Sequence, residues 1–323
     1  MPELPEVETV ANGVHARVHG QRIERVWTSG KPQTFKSSEA EIAEVLTGAQ
    51  IERVRRVGKT IVMTVERGRS TEADSSASLR NDKEKGLRND KEKGLRNDKE
   101  KGLRNDKEKG LRNDKETGLR NDKQGAEFLI HLGMTGRLLV SAPEVALPAH
   151  THAVLTLSGG NELRFVDARR FGRLSVRTAE AYVGPGAEPL AISEEQFVAL
   201  FRGRKTPIKA ALLNQSLLHG VGNIYADESL FRAGVRPRRQ AGRLTREELL
   251  RLRKALVQVL KHSIKLGGSS VSDYVDADGV RGFFQLEHKV YGRAGEACRD
   301  CGAGLKKLVV GGRTTVYCPT CQR

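Results

Sequence analysis

Apolar residues recur at helical spacing near the start of the chain, where Val7, Val10, Val14 and Val18 share one face and predict a helix over residues 3–19. The period then changes. Ile23–Trp27, Ile51–Val57 and Thr60–Val65 are short runs rich in β-branched residues, the composition of strands. The same signature returns in Glu127–Leu132, Gly136–Val140, Ala153–Leu157, Glu162–Val166 and Arg173–Val176. Residues 1–187 therefore read as a mainly β domain with one early helix. After Pro189 the pattern is helical. Ser193 and Gln196 form a capping box ahead of Phe197, Leu200 and Phe201, and Thr206-Pro207 supplies a cap and a first-turn proline. Gly220-Val221-Gly222-Asn223 predicts a tight turn that opens a further helix ending near Gly234. Thr245 and Glu248 repeat the capping box before Leu249, Leu252, Leu256 and Val259, and Gly267-Gly268 stops that helix.

One stretch obeys neither period. From Leu79 the octapeptide Leu-Arg-Asn-Asp-Lys-Glu-Lys-Gly recurs at Leu87, Leu95 and Leu103, with a variant copy at Leu111 and a truncated one at Leu119. Such a repeat matches neither about 3.5 nor about 3.6 residues per turn, so its leucines drift around any helix. One apolar residue per unit cannot build a core, and each unit carries a helix-weakening glycine. Residues 79–125 are therefore expected to be a disordered insertion joining two strands, tolerated because a long surface loop costs little extra closure free energy. A basic arm that touches a polyanion is the other reading.

Charge changes the picture. The formal net charge is +16, and the repeats supply only +5 of it, so the rest of the chain is basic as well. A basic surface favours a polyanionic partner, because Lys and Arg release counterions from phosphate backbones. No apolar run reaches the roughly 18 residues that a membrane span needs. The opening Met1-Pro2-Glu3-Leu4-Pro5-Glu6 is acidic and has no apolar core of a signal peptide. The expected compartment is the cytoplasm, at the nucleoid, where thiols stay reduced.

That last point bears on the tail. All four cysteines lie there as Cys298-x2-Cys301, sixteen residues, then Cys318-x2-Cys321. Two such knuckles give four thiolates to one tetrahedral zinc. With four protein ligands the site is closed, so one structural Zn2+ is expected rather than a catalytic one. Lys306, Lys307 and Arg313 lie between the knuckles and suit phosphate contact, although zinc ribbons also serve protein contacts. From these features alone, a non-catalytic zinc-ribbon DNA-binding protein remains open.

Five motifs resemble the formamidopyrimidine-DNA glycosylase family, in the family's order. They are Met1-Pro2-Glu3-Leu4-Pro5-Glu6-Val7-Glu8-Thr9, His131-Leu132-Gly133-Met134-Thr135-Gly136, Asp167-Ala168-Arg169-Arg170-Phe171-Gly172, Gly222-Asn223-Ile224-Tyr225-Ala226-Asp227-Glu228 and Val290-Tyr291-Gly292-Arg293. Together they cover nearly the whole chain except roughly residues 68 to 125. The resemblance implies an α+β multidomain protein. Residues 1–187 would be a catalytic β-sandwich with an early helix, 188–290 a helical helix–two-turns–helix DNA-binding domain, and 291–323 a zinc-finger β-hairpin. The related endonuclease VIII group typically begins Pro-Glu-Gly-Pro-Glu. Leu4 favours the formamidopyrimidine branch, whose main substrates are oxidised purines, over the pyrimidine-directed alternative. Two features depart from the family pattern: the octapeptide insert, and Asn214 where related sequences often have Asp.

The resemblance also implies roles. Pro2, freed by removal of Met1, would be the nucleophile. An α-amine has a pKa near 8, so a useful fraction is neutral. Glu3 would be the general acid and base, and Glu6 a supporting carboxylate. Lys59 would assist base loss and β-elimination, and Arg313 would grip the flanking phosphates and assist δ-elimination. Met134, Arg169 and Phe171 would fill the gap left by a flipped nucleotide, with Phe171 as the wedge. His150, Arg169, Lys205 and Asn223 would contact DNA, with Lys209 a weaker candidate one turn beyond Lys205. Residues 267–285 would form a mobile loop over the flipped base. The implied partner is double-stranded DNA containing damaged bases, met by a monomer with no membrane association.

Overall fold

The computed structural model describes residues 1–67, 124–178, 180–271 and 274–323. Helix α1 (Leu4–Val18) is followed by β1 (Ile23–Thr28), α2 (Glu39–Leu46), β2 (Gln50–Val57) and β3 (Thr60–Arg67). Then come β4 (Gln124–His131), β5 (Arg137–Ser141), β6 (Thr151–Leu157), β7 (Glu162–Val166) and β8 (Arg173–Arg177). The helical part comprises α3 (Glu194–Phe201), α4 (Ile208–Leu212), α5 (Asn223–Arg232) and α6 (Arg246–Lys265), and the tail is a hairpin of β9 (Lys306–Val310) and β10 (Arg313–Tyr317).

The eight N-terminal strands form two antiparallel four-stranded sheets, β1-β6-β7-β5 and β2-β3-β4-β8. Their facing sides share one core with α1, whose Val7, Val10, Val14 and Val18 are all buried in it. The expected insertion joins β3 to β4, which pair in register from Thr60↔His131 to Arg67↔Gln124. Its expected disorder concerns residues outside those described. Its expected end at residue 125 is corrected: Gln124 and Gly125 already belong to β4, paired with Arg67 and Glu66.

A second core gathers α3 to α6 around Phe197, Phe201, Tyr225, Leu252, Leu256 and Phe284. Leu4, the first residue of α1, packs into this second core while the rest of the helix faces the first. The N-terminus is thereby fixed where the two cores meet. The capping boxes at Ser193 and Thr245 form as expected. The start of α4 does not. Pro207 takes the cap position with no side-chain cap, and the entry is held by backbone bonds from Ile208 N–H to Arg239 O and from Ala241 N–H to Thr206 O. Helix α2 was not anticipated. It buries only Ile42 and Leu46, too few apolar positions to make a period, and Ser38 caps it through the Glu41 N–H.

Candidate functional site

The carboxylate of Glu3 reaches from the start of α1 to the first turn of α5. It accepts from the N–H of Ile224 (3.1 Å) and of Tyr225 (3.4 Å). Amides at a helix N-terminus lack intrahelical partners, and the helix dipole favours an anion there. The approach requires a glycine beside it: a Cβ on Gly222 would lie 2.2 Å from the Glu3 Cδ. The Leu4 N–H completes the junction by donating to the Gly220 carbonyl at 3.0 Å. Burial pushes the Glu3 pKa up, against Lys59 and the two amides, which pull it down.

One turn along α1, Glu6 accepts from the N–H of Glu3 (2.8 Å), the N–H of Ser269 (2.8 Å) and the Tyr225 hydroxyl. That hydroxyl also lies 2.6 Å from Ser263 Oγ. Burial, and after it the charge of Glu3, raise the Glu6 pKa to about 7. Two carboxyls in one dry site thus retain a proton near neutrality that they would lose in water. Lys59 sits on the two-residue turn between β2 and β3, where Gly58 has φ +61°. Burial lowers its pKa, while Glu3 and Glu6 raise it. Pro2, Glu3, Glu6, Lys59, Asn223, Ser269 and Arg313 all line one cleft of about 430 Å³. Pro2 itself is buried beneath a half-exposed Met1.

Arg313 comes from the far end of the sequence. Gly311 and Gly312, with φ of +56° and +71°, make the two-residue turn between β9 and β10, a geometry that suits a hairpin's twist. The hairpin is docked on α5. Lys209, fully buried, pairs with Asp227 at 2.7 Å and donates to Thr315 Oγ1 (2.7 Å) and Thr314 O (3.1 Å). Burial pushes Asp227 up to about 7 and pulls Lys209 down, each opposed by the other's charge. Asn223 Nδ2 donates to Thr314 O at 3.0 Å. Glu228 accepts from the N–H groups of Lys289, Val290 and Tyr291, at 2.9 to 3.0 Å, and so holds the segment leading into the cysteines. Helix α5 therefore presents its N-terminus to Glu3 and its flank to the hairpin that carries Arg313.

The four cysteine sulfurs lie within 4.8 Å of one another, with Cys298–Cys321 at 4.0 Å and Cys301–Cys318 at 3.4 Å. A tetrahedral zinc with bonds of about 2.3 Å needs sulfur–sulfur edges of about 3.8 Å, so the set fits. Protein fills all four positions, which makes the ion structural.

The remaining candidates lie elsewhere. Met134 and Phe171 are 40% and 51% exposed, which rules out core packing for either. Asp167 knots their two loops together, accepting from Thr135 Oγ1 (2.5 Å), Gly172 N–H (2.7 Å) and Arg169 N–H (3.3 Å). The Arg169 guanidinium stacks over the Phe171 ring at 4.8 Å. Met134 lines the cleft, whereas His150, Arg169, Phe171 and Lys205 are exposed outside its wall. Lys209 is corrected: it is a buried pin for the zinc hairpin and not a surface contact, because it follows Ile208 at the start of α4 and faces β10.

Residues 1–80 and 87–174 match the formamidopyrimidine-DNA glycosylase N-terminal domain, 183–275 the formamidopyrimidine-DNA glycosylase H2TH domain, and 295–323 a zinc finger found in FPG and IleRS. A formamidopyrimidine-DNA glycosylase of Desulfitobacterium hafniense is 38% identical over the full length of both chains. The chain belongs to the formamidopyrimidine-DNA glycosylase family. It is a DNA glycosylase of base excision repair, with the abasic-site lyase activity typical of that family and a structural zinc ion in its finger. Among solved structures, a Lactococcus lactis FPG variant in complex with Fapy-dG-containing DNA superposes with a TM-score of 0.75 at 26% identity, covering all of both chains. The wild-type Lactococcus lactis FPG bound to DNA containing an oxidised pyrimidine gives 0.73 at 25% identity, again over all of both chains.

The sequence does not mark Ser269 and Tyr274 of the cleft wall, nor Tyr225, which is buried behind it and meets Glu6. Tyr225 stands inside a quoted motif, but nothing in the motif says that its hydroxyl meets Glu6. Ser269 and Tyr274 stand in the glycine-rich stretch expected to form a loop. Its described residues pack on α1 and β5: the Tyr274 hydroxyl donates to Glu6 O at 3.3 Å, Ser270 Oγ donates to Tyr274 O, Gly282 N–H donates to Ser270 Oγ, and Val140 N–H donates to Ala277 O.

Proposed function

We propose that the Pro2 amine, freed by removal of Met1, attacks C1′ of a damaged nucleotide turned into the cleft. The base leaves, and the opened sugar stays bound to Pro2 as an iminium. Glu3 protonates the sugar ring oxygen and later shuttles the proton whose loss drives β-elimination. Glu6, which accepts from the Glu3 N–H, supports the N-terminal segment. Lys59, with its lowered pKa, assists base loss and β-elimination. Arg313 grips the phosphates beside the lesion and assists δ-elimination, and the zinc-held hairpin aims it. Phe171 wedges into the vacated stack with Met134, and Arg169 reads the orphaned base. His150, Lys205 and Asn223 hold the DNA backbone. The protein works as a monomer on duplex DNA at the nucleoid.

The observation that carries this reading is a single cleft holding the N-terminal residues, two carboxyls whose pKa values burial raises, a lysine whose pKa burial lowers, and Arg313. Oxidised purines are the proposed main lesions. A second reading, oxidised pyrimidines, draws on the Lactococcus lactis complex with such DNA. Borohydride added to Met-processed protein and an 8-oxoguanine duplex should trap a covalent protein–DNA adduct. Its absence sinks the Pro2 mechanism. The same trap with an oxidised-pyrimidine duplex ranks the two substrates by adduct yield.

A further inference from the structure

Glu6 holds three donors, and they are not equally secure. The Glu3 N–H belongs to the same helix start, and the Tyr225 hydroxyl comes from a buried ring stacked on Phe284 at 5.7 Å. The third, the Ser269 N–H, follows Gly267 and Gly268, whose φ values of +73° and +85° lie in the region open to glycine. Its neighbours are pinned through Gly268 N–H to Ser263 O (2.8 Å), Phe284 N–H to Gly268 O (3.0 Å) and Ser270 N–H to Gln285 Oε1 (2.8 Å), and the Ser269 side chain adds a further tie. Its hydroxyl lies 3.1 Å from Nε2 of His288, a side chain 5% exposed. The imidazole is gripped edge-on between Phe284 (5.3 Å) and Tyr291 (5.4 Å). Tyr291 is anchored in turn, its N–H donating to Glu228 of α5 at 2.9 Å. Burial pulls the His288 pKa down, and a neutral ring with its proton on Nδ1 accepts the Ser269 hydroxyl at Nε2.

From this chain of contacts we infer that His288 is a positioning residue for base excision: it locks Ser269, and through the Ser269 N–H it orients the Glu6 carboxyl in the cleft. The inference rests on the proposed reading of the cleft. Ser269 and Val271 line the same cleft as Glu6, and under the proposed reading a base turned into that cleft lies against them. An abasic sugar carries no base to meet them. The two activities should therefore separate on substitution.

His288→Phe keeps an aromatic ring, somewhat larger, and removes both ring nitrogens. Its single-turnover excision of 8-oxoguanine should fall about tenfold, the scale of one hydrogen bond lost in a reacting site. Cleavage of a preformed abasic site should stay within about twofold of wild type. His288→Gln, whose amide nitrogen or oxygen can reach the Ser269 hydroxyl, should recover most of the excision rate. Ser269→Ala keeps the N–H but loses the latch, so it should reproduce the loss, and adding His288→Phe to it should cost nothing more. This second route keeps the test available where His288→Phe does not fold. Undiminished excision in both single variants overturns the inference, and so does a parallel fall of excision and abasic cleavage in a stably folded variant. Failure of the reading beneath it shows differently, as a wild-type protein that yields no borohydride adduct.

Discussion

Gly222→Ala isolates the placement of Glu3. Gly222 has φ −129° and ψ −161°, extended values that alanine adopts without strain, so the backbone can accept the change. The added methyl cannot be accepted in place. It would lie 2.2 Å from Glu3 Cδ, 2.4 Å from Oε1 and 2.7 Å from Cγ. Carbon atoms in contact sit about 3.5–4.0 Å apart, so the Glu3 side chain must retreat by more than roughly 1 Å. The retreat breaks the bonds from the Ile224 and Tyr225 amides, each worth about 1.5–3 kcal/mol to a charged acceptor. A misplacement on the order of 1 Å in a catalytic group costs on the order of 10²-fold. Single-turnover excision of 8-oxoguanine should therefore fall about 100-fold, with duplex binding nearly unchanged. Glu3→Gln should mask the effect, since Glu3 is the group displaced. A Gly222→Ala enzyme within threefold of wild type, or a double variant much slower than Glu3→Gln alone, would refute the argument.

Three further outcomes are expected. Folded Glu6 keeps its proton up to about pH 7, whereas the unfolded chain releases it near 4.5. Between those values the folded state binds the extra proton, so stability should decline as pH rises through the window, by about 3 kcal/mol in all. Urea denaturation of wild type and Glu6→Gln across the window checks this, and identical pH slopes count against it. Removing the metal by chelation, or replacing Cys301 with Ser, should take zinc content from one ion to none. Strand cleavage should go with it, because the hairpin that aims Arg313 loses its staple; cleavage by zinc-free protein would contradict this. Deleting residues 79–118, whole octapeptides only, leaves the pairing of Arg67 with Gln124 intact and should preserve most activity. A large fall in cleavage at moderate salt would instead assign the repeats a role.

The legible and illegible parts of this chain divide by the range of the physics involved. Local signals read well. The apolar face of α1 and the capping boxes at Ser193 and Thr245 are written within a few residues, and the structure honours them. The cysteine spacing read equally well, since two tight turns dictate where four sulfurs go. Helix α2 was missed because two buried side chains make no period. The start of α4 departs from the local pattern because its stabilising bonds run to Arg239 and Ala241, more than thirty residues away. The site shows the same division. The family resemblance marks Glu3, Lys59 and Arg313 as separate points on a line. What joins them is one helix, α5, whose amides hold Glu3 and whose Asp227 and Glu228 hold the zinc hairpin and its approach. Asp227 and Glu228 stand in the sequence as motif letters with no role attached, and Lys209 as a weaker DNA contact; that all three are buried is written in no local pattern. Burying an ion pair costs solvation, which further hydrogen bonds offset: Lys209 also donates to Thr314 O and Thr315 Oγ1 and Asp227 Oδ2 accepts from the Val316 amide, while Asp227 Oδ1 has the 2.7 Å ion pair alone. The distance between Pro2 and Arg313 in sequence is thus spanned by buried charges that no local pattern marks, and the Lys209–Asp227 pair ties the hairpin that carries Arg313 to the helix that holds Glu3.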